Sequence, residues 1–343
     1  MKLLKIIMII TLIIVLFNCS KQDKNKEIEI SDKIMNKLKS IESYKELFTK
    51  ISSKKLENPN NRFLYFNDIQ ENEHYIVAKS SSPNGIYYWN KKGEYIGQIG
   101  EKGKGPGEYL YANIILINDN KLLLIDSSLR RISFFNLQKN ESQFDDMYKF
   151  ENISSERMPF FNFAFYKENK IYLCNLFSRP DTYRIYILDE NLKFIKKIFE
   201  SRKRAWMGNT GMCYVSNCRI FILDDIWHDN HKNALKGDFN CSGDLFIYDL
   251  NGKFIKKINL DPKKILEEMN AMIVDKSGKL LLINNKYLVD INGNEIKKFD
   301  NKITNNELPV RKIRNYFYTT KEKYKIDDEY LILNKYEFDV ENL

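Results

Sequence analysis

Histidine is scarce in this chain: three residues in 343, at His74, His228 and His231. A catalytic zinc needs three well-placed ligands and a solvent position, and His74 lies far in sequence from the other two. No apolar run reaches the roughly 20 residues that a membrane-spanning helix needs. Gly-x-Ser-x-Gly, His-Glu-x-x-His and Cys-x-x-Cys are all missing. Their absence removes the serine-hydrolase elbow, the zinc-protease helix and the dithiol redox site. Sustained helical periodicity is missing too. Apolar residues recur at every second position, which argues against a helical solenoid.

What is present is one phrase, repeated. A short apolar run ends in Asp or Asn, turns, and continues as an alternating strand. It reads Ile86-Tyr-Tyr-Trp-Asn-Lys-Lys-Gly-Glu-Tyr-Ile-Gly-Gln-Ile99, then recurs over 185–198, 245–258 and, shortened, 287–299. Asn251-Gly252 and Asn292-Gly293 favour two-residue hairpin turns, because both central residues tolerate positive φ. Near-continuous apolar runs such as 121–126, 170–175, 219–224 and 279–284 read as strands buried on both faces. Turn anchors fall at Asn90, Asn136, Asp189, Asp249 and Asp290, spaced by 46, 53, 60 and 41 residues. A period of this length, with several strands per unit, predicts an all-β, six-bladed β-propeller of four-stranded antiparallel blades. Five copies are visible, and 316–338 supplies a sixth, with Tyr330-Leu-Ile-Leu-Asn334 as its core strand. Open first and last edges invite unwanted pairing, so an early strand within about 46–64 is expected to complete the last blade.

The chain starts with Lys2, Lys5 and the apolar run Ile6 to Phe17, followed by Cys19. A twelve-residue run of this kind suits the core of a secretory signal. Leu16-Phe-Asn-Cys19 resembles a bacterial lipoprotein cleavage site, with Leu16 matching and Phe17 and Asn18 departing from the usual small residues. The expected organisation is a signal peptide over 1–18, a lipidated charged tether over 19–45 and the propeller over 46–343. Acylation of Cys19 would hold the protein on a membrane face in the bacterial cell envelope without a spanning helix. Within the tether, Ile34, Leu38, Ile41 and Phe48 recur at helical spacing, and Ser31 suits a cap.

Net charge is +9. Lysine doublets at Lys196-Lys197, Lys256-Lys257 and Lys297-Lys298 recur at one place in the unit. That placement suits a solvated outer strand and argues against a nucleic-acid groove. Besides Cys19 there are four cysteines: Cys174, Cys213, Cys218 and Cys241. An exported compartment permits disulfides. Cys213 could bridge Cys218, Cys241 is a rival partner, and the pairing stays open.

The segment Tyr95-Ile-Gly-Gln-Ile-Gly-Glu-Lys-Gly-Lys-Gly-Pro-Gly-Glu-Tyr109 stands apart. Read from its residues, it is a crossing between blades. Gly supplies positive φ, Pro106 fixes a turn, and Glu108 is placed to accept backbone hydrogen bonds. No helix pattern and no Gly-Lys-Ser/Thr follows, so a nucleotide loop is not indicated. With Gly103, Gly105, Pro106, Gly107, Glu108 and Tyr109, the stretch resembles the signature of six-bladed β-propeller lipoproteins related to the NHL-repeat propellers. The likeness covers about 48–136 well and the later blades by general pattern. The resemblance implies a structural role for these residues and no assigned activity.

The candidate binding loop is an insertion carrying Trp227, His228, Asp229 and His231, joined by Trp206 from a neighbouring segment. His-x-x-His beside an acid could hold a divalent metal, but no helix aligns the pair, and neither metal nor cofactor is expected. Adjacent acids such as Asp145-Asp146 point to opposite faces of a strand and make no acid–base pair. The leading function is therefore non-catalytic: a lipid-anchored module that docks a glycan, peptide or envelope protein on its loop face. The rival is a metal-dependent extracytoplasmic lyase or hydrolase with a site at the central channel. A third option is a structural subunit of an envelope complex.

Overall fold

The computed structural model describes residues 30–59, 64, 66–81, 84–116, 118, 120–139, 141–150, 161, 163–175, 183–201, 212–226, 242–260, 272–283, 286–299, 311–313, 316–321 and 330–342. Six four-stranded antiparallel sheets account for nearly all of it. Blade 1 comprises Phe66–Glu71, Tyr75–Ser81, Asn84–Asn90 and Tyr95–Gln98. Blade 2 comprises Ala112–Leu116, Lys121–Asp126, Arg131–Leu137 and Ser142–Lys149. Blade 3 comprises Phe163–Lys167, Lys170–Asn175, Tyr183–Asp189 and Phe194–Ser201. Blade 4 comprises Met212–Ser216, Arg219–Ile226, Ser242–Asp249 and Phe254–Leu260. Blade 5 comprises Met272–Val274, Leu280–Ile283, Tyr287–Asp290 and Glu295–Lys298. In these five blades the strands follow one another in chain order. The first strands of neighbouring blades touch, from blade 6 to 1, 1 to 2, 2 to 3 and 4 to 5. First strands therefore surround the axis and fourth strands form the rim.

Blade 6 is built differently. Arg311–Ile313, Tyr316–Lys321 and Tyr330–Phe338 come from the end of the chain, and Phe48–Glu57 supplies the outer strand. The pairing runs antiparallel from Phe48↔Phe338 to Glu57↔Tyr330. This is the closing strand expected between residues 46 and 64.

The core lies between blades and not within them. Tyr75, Val77, Ile86 and Tyr88 of blade 1 pack on Ile114, Leu122, Leu124 and Phe135 of blade 2. The alternate residues Ile76, Ala78, Tyr87 and Trp89 face the other way, onto Leu56, Leu331 and Leu333 of blade 6. Middle strands thus bury both faces, which is why their sequences lack polar alternation. Each fully buried Leu or Ile contributes about 1.5–3 kcal/mol relative to exposure.

Helix α1 (Asp32–Ser40) begins at the Ser31 cap, whose hydroxyl accepts from Ile34 N at 3.4 Å. Leu38 and Ile41 enter the cluster formed by blades 4, 5 and 6, and Lys297 Nζ donates to Lys39 O at 2.7 Å. The expected helical stripe ends early. Ile41 is already extended, a capping box of Ser43 and Glu46 starts one 3₁₀ turn, and Phe48 opens the closing strand.

The Asn-Gly turns also differ from expectation. Gly252 N donates to Asp249 O and Asp249 N to Lys253 O, and only Gly252 takes positive φ, at 72°. That is a three-residue loop with a glycine bulge, not a two-residue turn. The difference follows from the anchor. The Asp249 carboxylate accepts from Asn251 N at 2.9 Å and Lys253 N at 2.8 Å, which stabilises the wider loop. Asn90, Asp189 and Asp290 do the same. Asn136 does not: it sits inside a blade 2 strand, paired with Lys121 and Gln143.

Candidate binding face and the blade crossings

Strand alternation makes the two ends of the propeller unequal. At one end lie the tight turns just described, and the short links after each first strand. At the other end the chain joins second strands to third strands, and each blade to the next. The connections 150–162, 176–182, 202–211, 227–241, 261–271 and 299–310 all begin and finish there. Trp206 belongs to the link from blade 3 to blade 4. Trp227, His228, Asp229 and His231 belong to the link between the second and third strands of blade 4. Those five residues lie outside the described residues, as do Cys19 and Cys241. The flanks of the insertion are placed: Ile226 pairs with Ser242. Among the described residues, no group of three His, Cys, Asp or Glu side chains is arranged to hold a metal ion. Cys174 is buried in blade 3, Cys218 sits in a turn of blade 4, and neither forms a disulfide.

Around the axis, polar side chains are committed to holding blades together. Gln70 Nε2 donates to Ile114 O, Asn113 Nδ2 to Phe161 O at 3.2 Å, and Ser216 Oγ to Asp275 O at 2.6 Å. Each bond runs from one blade to backbone in, or within two residues of, the first strand of the next. Such bonds satisfy buried carbonyls that no ladder reaches.

The glycine-rich segment crosses from blade 1 to blade 2 at the long-connection end. Glu101–Lys102 pairs in parallel with Glu108–Tyr109, so the segment folds back on itself. Glu108 N donates to Gly105 O at 3.2 Å, while the Glu108 carboxylate accepts from Gly105 N at 2.5 Å. A Cβ at Gly103 would collide with that carboxylate, and one at Gly100 with Gly107 O. Gly100 and Gly107 also take φ of 59° and 75°, where glycine is favoured. Tyr109 is buried, its hydroxyl accepts from Ile86 N at 3.1 Å, and burial pushes its pKa up to about 12.

Arg131 is the centre of this crossing, and nothing in the sequence singled it out. Its guanidinium is buried and donates to Lys104 O at 2.9 Å, and to Gly105 O and Glu108 O at 2.7 Å each. Opposite it, Asp126 accepts from Leu110 N at 2.6 Å and from Ser128 N and Leu129 N at 2.9 and 3.0 Å. A cation thus gathers the carbonyls and an anion gathers the amides, each in its favoured polarity.

A second charge cluster sits at the seam between blades 6 and 1. Glu71 receives Lys91 Nζ at 2.8 Å and also Lys335 Nζ. Lys54 lies beside them and donates to Lys91 O at 2.9 Å. Burial alone would raise the Glu71 pKa, but hydrogen bonds and charge from Lys335 and Lys91 outweigh it and hold the carboxyl at about 2. Burial, then the Lys91 charge, lower Lys54. A carboxyl with a depressed folded pKa stabilises above its ordinary value of 4.5 and loses that contribution as pH falls toward 2. The melting temperature should therefore fall more steeply between pH 4.5 and 2.5 in the parent than in Glu71→Gln. Parallel slopes would show that the seam does not depend on this charge.

Comparison with other proteins agrees with this architecture. Residues 66–227 match the model of a family described as 6-bladed beta-propeller, DUF5128. No curated protein matches the sequence. Among solved structures, a member of the DUF4221 family from Bacteroides vulgatus ATCC 8482 superposes with a TM-score of 0.51 at 15% identity, over 84% of this chain and 97% of that one. The Dos1 propeller gives 0.49 at 9% identity, over 80% and 78%. A functionally unknown protein from Desulfotomaculum acetoxidans DSM 771 gives 0.44 at 15% identity, over 69% and 72%. At 15% identity the likeness to the DUF4221 member, which alone of these three exceeds a TM-score of 0.5, speaks to fold alone. Sheet order and family match together make this chain an all-β, six-bladed propeller whose residues 66–227 carry the DUF5128 pattern.

Proposed function

We propose that the protein is an exported, lipid-anchored propeller that binds a glycan, a peptide or an envelope protein and catalyses no reaction. The carrying observation is the inequality of its two ends. Among the described residues, one end carries the short turns and the entering chain start, while the links 202–211 and 227–241, whose sequences hold Trp206, Trp227, His228, Asp229 and His231, start and finish at the other. Loops held by a rigid scaffold are where recognition usually resides. The bonds of Gln70, Asn113 and Ser216 across blades add rigidity close to the axis.

The test is a thermal-shift screen of the purified protein against oligosaccharides, peptides and divalent metals. A ligand at a hundred times its Kd should stabilise by about 2.7 kcal/mol, and the shift should vanish in Trp227→Ala. Stoichiometric zinc or copper, lost in His228→Ala/His231→Ala, would overturn the non-catalytic reading in favour of a metal-dependent lyase or hydrolase. Anchoring has a separate test. Cys19→Ala should abolish fatty-acid labelling and release the protein from membranes, and a variant that still floats with them would refute the lipid anchor.

A further inference from the structure

Five of the six outer strands carry a bulge whose extra residue is isoleucine: Ile96, Ile195, Ile255 and Ile296 in blades 1, 3, 4 and 5, and Ile51 in the closing strand. Blade 2 has Asp145 there. The side chains meet different fates. Ile96 packs against the cluster of blades 1 and 2, and Ile296 against the cluster that includes Ile34 and Leu38 of α1. Ile195, Ile255 and Ile51 stay 46%, 45% and 46% exposed. Blades 3 and 4 add a phenylalanine beside the isoleucine, with Phe194 38% and Phe254 51% exposed. Lys193 and Lys253 are exposed beside them, while Lys257 pairs with Asp244 at 2.9 Å. Two neighbouring blades therefore present the same apolar pair with an exposed lysine before it, along outer strands whose outward edge has no strand beside it.

Exposed apolar outer strands invite aggregation unless covered. We propose that the cover over blades 3 and 4 is an anionic bilayer surface, on which the propeller lies rim-down. Paired Phe and Ile side chains among lysines are the chemistry of interfacial binding: the apolar groups enter the headgroup boundary while the ammonium groups meet anionic lipid. The placement of the chain start agrees. Ile30 packs into the cluster that contains Leu245 and Ile247 of blade 4. Cys19 precedes it by eleven residues, a span of at most about 40 Å when fully extended. The inference rests on the anchored reading for its membrane but has its own readout.

Tryptophan placed at the rim reports contact directly. In the full chain, Ile255→Trp and Ile51→Trp are compared on vesicles containing brominated phosphatidylglycerol and on brominated phosphatidylcholine alone. Quenching of Ile255→Trp should exceed that of Ile51→Trp at least twofold on the anionic vesicles and fall on the neutral ones. Equal quenching at both positions, or none at Ile255→Trp, overturns the proposal even where Cys19 is acylated. A dimer that Ile255→Glu dissociates would overturn it too, by showing a second copy on the patch. Quenching at Ile255→Trp in a chain without an acyl group would leave the rim contact standing and remove the anchor.

Discussion

Arg131→Met should lower the melting temperature by roughly 5 °C, from a loss of about 3 kcal/mol set against an unfolding entropy of about 2.1 cal/mol/K per residue over the propeller. The carbonyl oxygens of Lys104 and Glu108 lose this donor, while Gly105 O keeps Glu108 N at 3.2 Å. A buried acceptor left unmet costs about 1–3 kcal/mol. Some of that returns as the crossing loosens and water enters, so the loss falls short of the full sum. Arg131→Lys should recover less than half, because an ammonium group cannot reproduce a planar fork that reaches three oxygens in fixed directions. Full recovery by lysine would mean that charge, and not geometry, holds the crossing. Thermal melts of the purified variants give the shift, and urea denaturation gives the free energy.

Gly93→Ala should cost a similar amount, about 3 kcal/mol, and should act on ring closure. Gly93 has φ of 93°, and an added Cβ would land on the carbonyl oxygen of Lys55 in the closing strand. The conformational part alone is about 1–2 kcal/mol. The remainder comes from moving backbone, since no side chain can rotate out of the way. The same move strains the bond from Glu57 N to Gly93 O, now 2.8 Å. Gly278→Ala is the control. Its φ is 72°, but the nearest atom, Cβ of Asn217, is 3.3 Å away, so it should cost about 1 kcal/mol. Equal losses at the two sites would remove the steric argument.

Legibility in the sequence followed the range of the forces involved. The closing strand was readable because edge protection is a global requirement that an early strand could meet. Asn90, Asp189, Asp249 and Asp290 were readable because a turn anchor acts on amides two and four residues away. Asn136 misled, since an Asn inside a strand looks the same as one at its end. The stripe through Ile34 and Leu38 marked a helix correctly, but Phe48 shared its spacing by coincidence with the start of a strand. Arg131 was hidden because its partners lie 23 to 27 residues earlier. Glu71 and Lys335 were hidden further still, 264 residues apart. No local pattern marks a charge whose partner arrives from another blade.

Closure by Phe48–Glu57 has a consequence for biogenesis. The first strand made is the last to be used, because Tyr330–Phe338 must leave the ribosome before the two can zip. Their ladder closes nearly the whole polypeptide into one loop, a slow and costly step in conformational search. Until then both mates display naked amides and carbonyls to proteases and sticky neighbours. A nascent chain cut short anywhere ahead of Tyr330 would leave the Phe48–Glu57 strand without its mate and keep that vulnerability.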